Sequence, residues 1–187
     1  SGQTITESIV DANGQVMTAA ANGEYTVSAD SSLVYRVAQA GAADVILGKF
    51  VFDAGTQEDI DLKQVAFKLA STTFNQPADL VGQKATLWNG SAKIGDIQFG
   101  SGIHTDYATT TLSTAVRIPR GDSVTLTVKG DLTTHDAIYL SATNPPGQFL
   151  EVSYDGGNNG LNGNYANGVG SGVTISGGTG DITSTGV

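Results

Sequence analysis

The sequence predicts an all-β protein, an antiparallel β-sandwich with additional strands at its N- and C-terminal ends. Two observations carry that expectation. No window places apolar residues at helical spacing over three turns, and Val, Ile, Thr, Phe and Tyr recur in short runs broken by Gly, Asn and Asp.

In chain order, "QTITESIVDANGQVMT" opens with an alternating run and an Asn13-Gly14 turn pair, and "GEYTVSADSSLVYRVAQ" supplies two more alternating runs. "DVILGKFVF" puts Ile46, Phe50 and Phe52 on one face, and "VAFKLAS" does the same for Val65, Phe67 and Leu69, so each run can bury one side and solvate the other. "ATLWNGSAKIGDIQF" reads as a hairpin around Asn89-Gly90, a pair suited to a type I′ turn with positive φ at both central residues. "TTTLSTAVRIP" follows, then "SVTLTVKGDL", with Val124, Leu126 and Val128 on one face and Thr125, Thr127 and Lys129 on the other. "AIYLSAT" adds a strand that Pro145-Pro146 ends.

Beyond Gly147 the composition changes, with twelve of the 25 glycines in the last 41 residues and five asparagines between Asn158 and Asn167. So little apolar surface offsets little ordering entropy. The tail is therefore expected to need contacts beyond its own, with neighbouring subunits as one source. The chain divides on this reading into an N-terminal extension (1–30) offering an exchangeable strand, a sandwich (31–150) and a Gly/Asn-rich extension (151–187).

Charge and composition exclude several function classes. Eighteen acidic against nine basic side chains give a net charge of −9, which repels phosphate backbones and anionic lipid heads, so no nucleic-acid partner is expected. All nine basic residues lie between Arg36 and Lys129, leaving both flanks acidic. No run approaches the roughly 20 apolar residues of a membrane helix, so no membrane insertion is expected. No basic start with an apolar run resembles a signal peptide, so export would place Ser1 after a removed leader. The absence of cysteine rules out disulfides and thiolate chemistry and agrees with an extracellular location.

Three stretches carry a resemblance. Val45, Leu47, Lys49, Phe50 and Phe52, followed by Glu58, Asp59, Ile60 and Leu62, form the first; Leu87 to Gly95 form a strand-turn-strand; Ile118 to Leu132 form the third, with Gly121-Asp122-Ser123 about one residue tighter than usual. Together they resemble an immunoglobulin-like β-sandwich repeat of secreted surface proteins of bacteria and archaea, surface-layer-like and adhesin-like. The resemblance covers Ala29 to about Thr143 and leaves the flanks outside. It implies an immunoglobulin-like fold and a module of a cell-surface assembly, not a catalyst.

No catalytic residues are expected. His104 and His135 both fall in loop sequence without a nucleophile elbow nearby, so neither fits a triad. The densest acidic cluster, "QEDID", could present Glu58, Asp59 and Asp61 to a calcium ion, against the simpler reading of a solvated acidic turn. Beyond calcium no cofactor is expected. "DGGNNGLNGN" lacks the aspartate register of calcium-binding nonapeptide repeats. Trp88 could stack on a sugar ring, although one aromatic is not a platform and packing beside the hairpin is the stronger reading, and Asn89-Gly90-Ser91 matches a glycosylation sequon that the turn already explains. Lys49, opposite in parity to Phe50 and Phe52, reads as an outward lysine protecting a sheet edge. Arg120-Gly121-Asp122 matches an adhesion tripeptide, but Pro119 before it and the alternating strand after it make it a turn.

The function expected is a non-enzymatic extracellular structural subunit that self-assembles, as a homo-oligomer or polymer, into a surface layer or filament. Strand addition is the expected mechanism, with Ile5 and Ile9 or Val173 and Ile175 filling a neighbour's pockets. The alternative is a carbohydrate-binding or adhesin module with a glycan partner.

Overall fold

The computed structural model describes residues 22–69, 75–100, 106–134, 150–177 and 180–187. Expectations for Ile5, Ile9, His104, His135, the Asn13-Gly14 turn and "AIYLSAT" fall outside these residues. The described residues form eleven strands: β1 (Tyr25–Ala29), β2 (Val45–Ala54), β3 (Ile60–Leu69), β4 (Leu80–Asn89), β5 (Ala92–Gln98), β6 (Tyr107–Ile118), β7 (Ser123–Leu132), β8 (Val152–Tyr154), β9 (Tyr165–Gly168), β10 (Thr174–Ser176) and β11 (Ile182–Thr183).

The strands make two antiparallel sheets, one ordered β1-β2-β7-β4-β5 and one ordered β10-β9-β3-β8-β11 with β6 along the other edge of β3. All-β architecture in two layers is thus as expected. Alternation puts Phe50 and Phe52 of β2 and Leu126 and Val128 of β7 inward, against Leu62, Phe67, Val152 and Tyr154 of the second sheet, all fully buried. Rings meet across the layers: Phe50 and Phe67 lie 5.6 Å apart between centroids, and Phe52 meets Tyr154 edge-on at 5.7 Å. Contacts of this kind add about 0.5–1.5 kcal/mol to what burial alone supplies.

Several local expectations are corrected. A bulge between Ile46 and Gly48 shifts the parity of β2, so Leu47 is buried in the place expected for Ile46. Asn89 pairs with Ala92, so the central turn residues are Gly90 and Ser91, and the positive φ of 58° falls on Gly90. Positive φ at the first central residue alone is the pattern of a type II′ turn, not I′. "SLVYRVAQ" forms no strand; it crosses from β1 towards β2 as irregular chain. Lys49 guards no open edge, because β2 lies between β1 and β7 and the Lys49 amide donates to Ser184 Oγ at 3.0 Å.

The residues assigned by composition to the two flanks belong to the same sheets. Tyr25–Ala29 is the strand at one edge of the first sheet, and the Gly/Asn-rich tail supplies β8 to β11 of the second. The tail is ordered by its own chain. β9 pairs with Ile60–Gln64 and β8 with Phe67–Leu69, leaving Ala66 between them without a strand partner on that side. There Asn164 Oδ1 accepts the Ala66 amide at 2.7 Å, while the Asp155 amide donates to the Ala66 carbonyl at 3.0 Å. Gln64, also buried, donates to the carbonyls of Leu161 (3.0 Å) and Gly163 (2.8 Å) and accepts from Thr111 Oγ1 (2.8 Å). Two buried amide side chains thus satisfy the backbone that an apolar core would leave unpaired.

At the β5–β6 corner the sheets approach without a backbone ladder. Thr110 Oγ1 donates to the Asp96 carbonyl at 3.2 Å and Ser113 Oγ to the Ile94 carbonyl at 3.1 Å, so hydroxyls from "TTTLST" close the seam. Gly95 permits it, since a Cβ there would sit 2.5 Å from Thr110 Cγ2.

Candidate functional site

The acidic cluster of the β2–β3 loop is dispersed over three separate partners. Glu58 Oε1 accepts from the Gly23 amide (3.1 Å) and Ser171 Oγ (2.7 Å), and its Oε2 accepts from the Gly170 and Ser171 amides (2.9 Å each). Hydrogen bonds from Ser171, with those from Gly23 and Gly170, hold this carboxyl below its ordinary range. Asp59 accepts the Arg120 amide at 3.0 Å, and Asp61 pairs with Arg117 Nε at 2.6 Å, which lowers its carboxyl in the same direction. Glu58, Asp59 and Asp61 therefore do not converge, and no group of three or more His, Cys, Asp or Glu suited to a metal ion occurs among the described residues. A cation at Glu58 would meet amide hydrogens already pointed at the same oxygens.

The Arg120-Gly121-Asp122 corner is a turn. The Asp122 amide donates to the Pro119 carbonyl at 3.0 Å, and Gly121, third of the four turn residues, has a φ of 76°, as a type II turn requires. Both flanking side chains belong to exposed residues.

Of the C-terminal residues expected at an assembly surface, Ile175 is buried in the chain's own core and pairs with Ala166, whereas Val173 is exposed. Sequence reasoning missed a second apolar surface. Val34, Tyr35 and Val37 are 65%, 54% and 100% exposed on the irregular chain that follows β1. Beside them an open groove of about 290 Å³ runs between Arg36, Val37, Ala42, Val45, Ile46 and Val187. It borders the half of β2 that β1 does not reach, since β1 pairs with Phe50–Ala54.

The outer face of the first sheet gathers residues that the sequence scatters. Cross-strand partners project to the same side of a sheet. Lys49 pairs with Thr127, Thr127 with Trp88 and Trp88 with Lys93, which makes one row across β2, β7, β4 and β5. The next row is Lys129, Thr86 and Asp96, followed by Lys84 with Gln98. Trp88 Nε1 donates to Thr86 Oγ1 at 2.8 Å, and Lys129 Nζ lies 4.5 Å from the indole centroid, a cation–π contact. Lys93 is ion-paired with Asp96 at 2.6 Å; among the described residues Lys84 and Lys129 have no carboxylate partner, and Lys49 lies near the Asp30 carboxylate. Trp88 was legible as a candidate, but its lysines come from positions up to 80 residues apart and converge only through strand order.

No protein-family model, curated protein or solved structure matches the chain. The resemblance to surface-protein repeats accordingly rests on its motif residues.

Proposed function

We propose that the chain is a non-enzymatic extracellular structural subunit that associates with copies of itself into a surface layer or filament. The observation that carries the reading is the exposed apolar surface of Val34, Tyr35 and Val37 beside the half of β2 that β1 does not pair. An apolar surface next to a stretch of β2 met on that edge by side chains of Arg36 and Ser184 and not by a neighbouring strand suits an added strand that displaces them, its alternate side chains entering the groove. "TITESIV" near the N-terminus has the needed alternation, with Ile5 and Ile9 on one side.

Negative-stain microscopy and light scattering on the full chain test it, alongside a chain lacking residues 1–21, which leaves β1 intact. Assembly of the full chain and loss of assembly on truncation are expected. A chain that stays monomeric at millimolar concentration would remove the reading.

A second reading, a carbohydrate-binding or adhesin module, is favoured by Trp88 on a polar, hydroxyl-bearing sheet face with Thr86 and Thr127 beside it.

A further inference from the structure

We propose that the outer face of the β1-β2-β7-β4-β5 sheet binds an acidic polysaccharide, a sugar chain bearing carboxylates, across Lys49, Trp88, Lys84 and Lys129. The proposal rests on the carbohydrate-binding reading and names the class of glycan.

Charge distribution is the first argument. In a chain of net charge −9, the lysines of the second sheet's outer face each lie beside a carboxylate: Lys68 pairs with Asp181, and Lys63, at 3.7 Å, shares Asp61 with Arg117. Lys84 and Lys129, which have no carboxylate partner among the described residues, lie on the opposite sheet around the one tryptophan, with Lys49 on the same face beside the Asp30 carboxylate. Asp96 is taken up by Lys93, and Asp131, at the far end of β7, accepts the Asp44 amide at 2.8 Å. Asp30 lies beside Lys49 at the edge of the face, and Asp53 lies four residues along β2 from Lys49, on the side away from Lys84 and Lys129. Lys84 and Lys129 therefore leave the centre of the face, around Trp88, cationic within a chain that is anionic overall, which favours an anionic ligand there.

Geometry is the second. The row from Lys49 to Lys93 crosses three strand spacings, about 14 Å, and Lys84 lies four residues along β4 from Trp88, about 13 Å. Ammonium groups that far apart on a flat surface match charges repeated along an extended polymer better than a single small anion. An indole with Thr86 and Thr127 beside it offers an apolar ring surface and hydroxyls, the two things a sugar ring presents in return. Lys129, held against the indole, is ordered before any ligand arrives, which lowers the entropy cost of binding.

Affinity electrophoresis of the full chain through gels containing polygalacturonate tests the proposal, with dextran as neutral polysaccharide and single-stranded DNA as non-sugar polyanion. Retardation by polygalacturonate that weakens with salt is expected, with little by dextran or DNA. Lys84→Glu, at an exposed position, and Trp88→Ala should each weaken it about tenfold or more, while Lys63→Glu on the other sheet should not. Thermal melts establish that each variant is folded, and Lys49→Glu serves if Trp88→Ala is not. Equal retardation by dextran overturns the acidic specificity and leaves the carbohydrate reading in place. Equal retardation by DNA, or loss of self-association in place of glycan binding in Lys84→Glu, overturns the proposal in favour of a general polyanion site or of a second copy's acidic flank. No retardation by any polysaccharide overturns both.

Discussion

The Asn164 side chain takes the place of a β-strand beside Ala66. Its Oδ1 accepts the Ala66 amide at 2.7 Å while its Nδ2 donates to the carbonyls of Asp155 (2.5 Å) and Asn158 (2.8 Å), all at a fully buried position where β8 and β9 diverge. Asn164→Ala strands one amide and removes a donor from two carbonyls, and should cost about 2–4 kcal/mol by urea unfolding. Asn164→Asp restores the acceptor but turns a carboxylate oxygen towards two carbonyls, so it should not rescue. If both variants unfold within about 0.5 kcal/mol of the parent, the range of unremarkable surface changes, the tail is held by something other than this residue.

Glu58 joins three chain segments through one carboxylate: the approach to β1, the β2–β3 loop and the β9–β10 turn. Its folded pKa is depressed by the Ser171 hydrogen bonds first and the Gly23 and Gly170 amides after them. A depressed acid contributes stability that is complete above its unfolded pKa, about 4.3, and is lost as pH falls through the lower folded value. Glu58→Gln, which replaces one acceptor oxygen with an amide facing N–H donors, should therefore be less stable than the parent at pH 7. The gap should close progressively below about pH 4.3. Denaturation midpoints at pH 3, 4, 5 and 7 for both proteins check it, and a gap independent of pH would assign the effect to packing alone.

The parts of this fold legible in sequence are those where one physical preference acts locally. Phe50 and Phe52, Leu126 and Val128 alternate because one face of each strand is buried, and Pro119 with Gly121 specifies a turn within four residues. Ile46 escaped because a single bulged residue reverses parity, and nothing in "VILGK" marks the bulge except Gly48, buried against Phe50. The tail escaped for a different reason. Its stabilising groups are polar, and Gln64 and Asn164 reach partners 97 to 99 residues away, a separation that composition cannot sense. The acidic loop was legible as a cluster but not as three separate hydrogen-bond acceptors, because their partners, Ser171, Arg120 and Arg117, lie 56 to 113 residues away. The lysine face is the converse, distant in sequence and brought together by β2, β7, β4 and β5 lying side by side.

Asp155 is mostly buried, and desolvation first, then the nearby Asp181 carboxylate, raises its pKa, with Lys68 partly opposing them. The sign is the reverse of Glu58. An acid with a raised folded pKa costs nothing below its unfolded value, about 3.9, and destabilises the fold as pH rises from there through the folded value. Asp155→Asn keeps the shape and removes the charge, so it should melt higher than the parent at pH 7 and at the same temperature near pH 3. A lower melting temperature at pH 7 would mean that the carboxylate is held by more than its burial shows.

The Arg120-Gly121-Asp122 corner separates a structural from a recognition role by substitution. Gly121 has a φ of 76°, and a Cβ added there meets nothing within 4 Å, so Gly121→Ala tests backbone strain without a clash. The left-handed region costs a non-glycine residue about 1–2 kcal/mol, which should appear in full as lost stability. Asp122 is held through its backbone, donating to the Pro119 carbonyl and accepting from the Ala54 amide, both at 3.0 Å, with its residue exposed. Asp122→Glu should therefore leave stability within about 0.5 kcal/mol of the parent, and attachment of integrin-bearing cells to immobilised protein should not change. Attachment lost in Asp122→Glu with stability intact would make the corner a ligand after all, since a methylene that the turn tolerates would then be one that a receptor rejects.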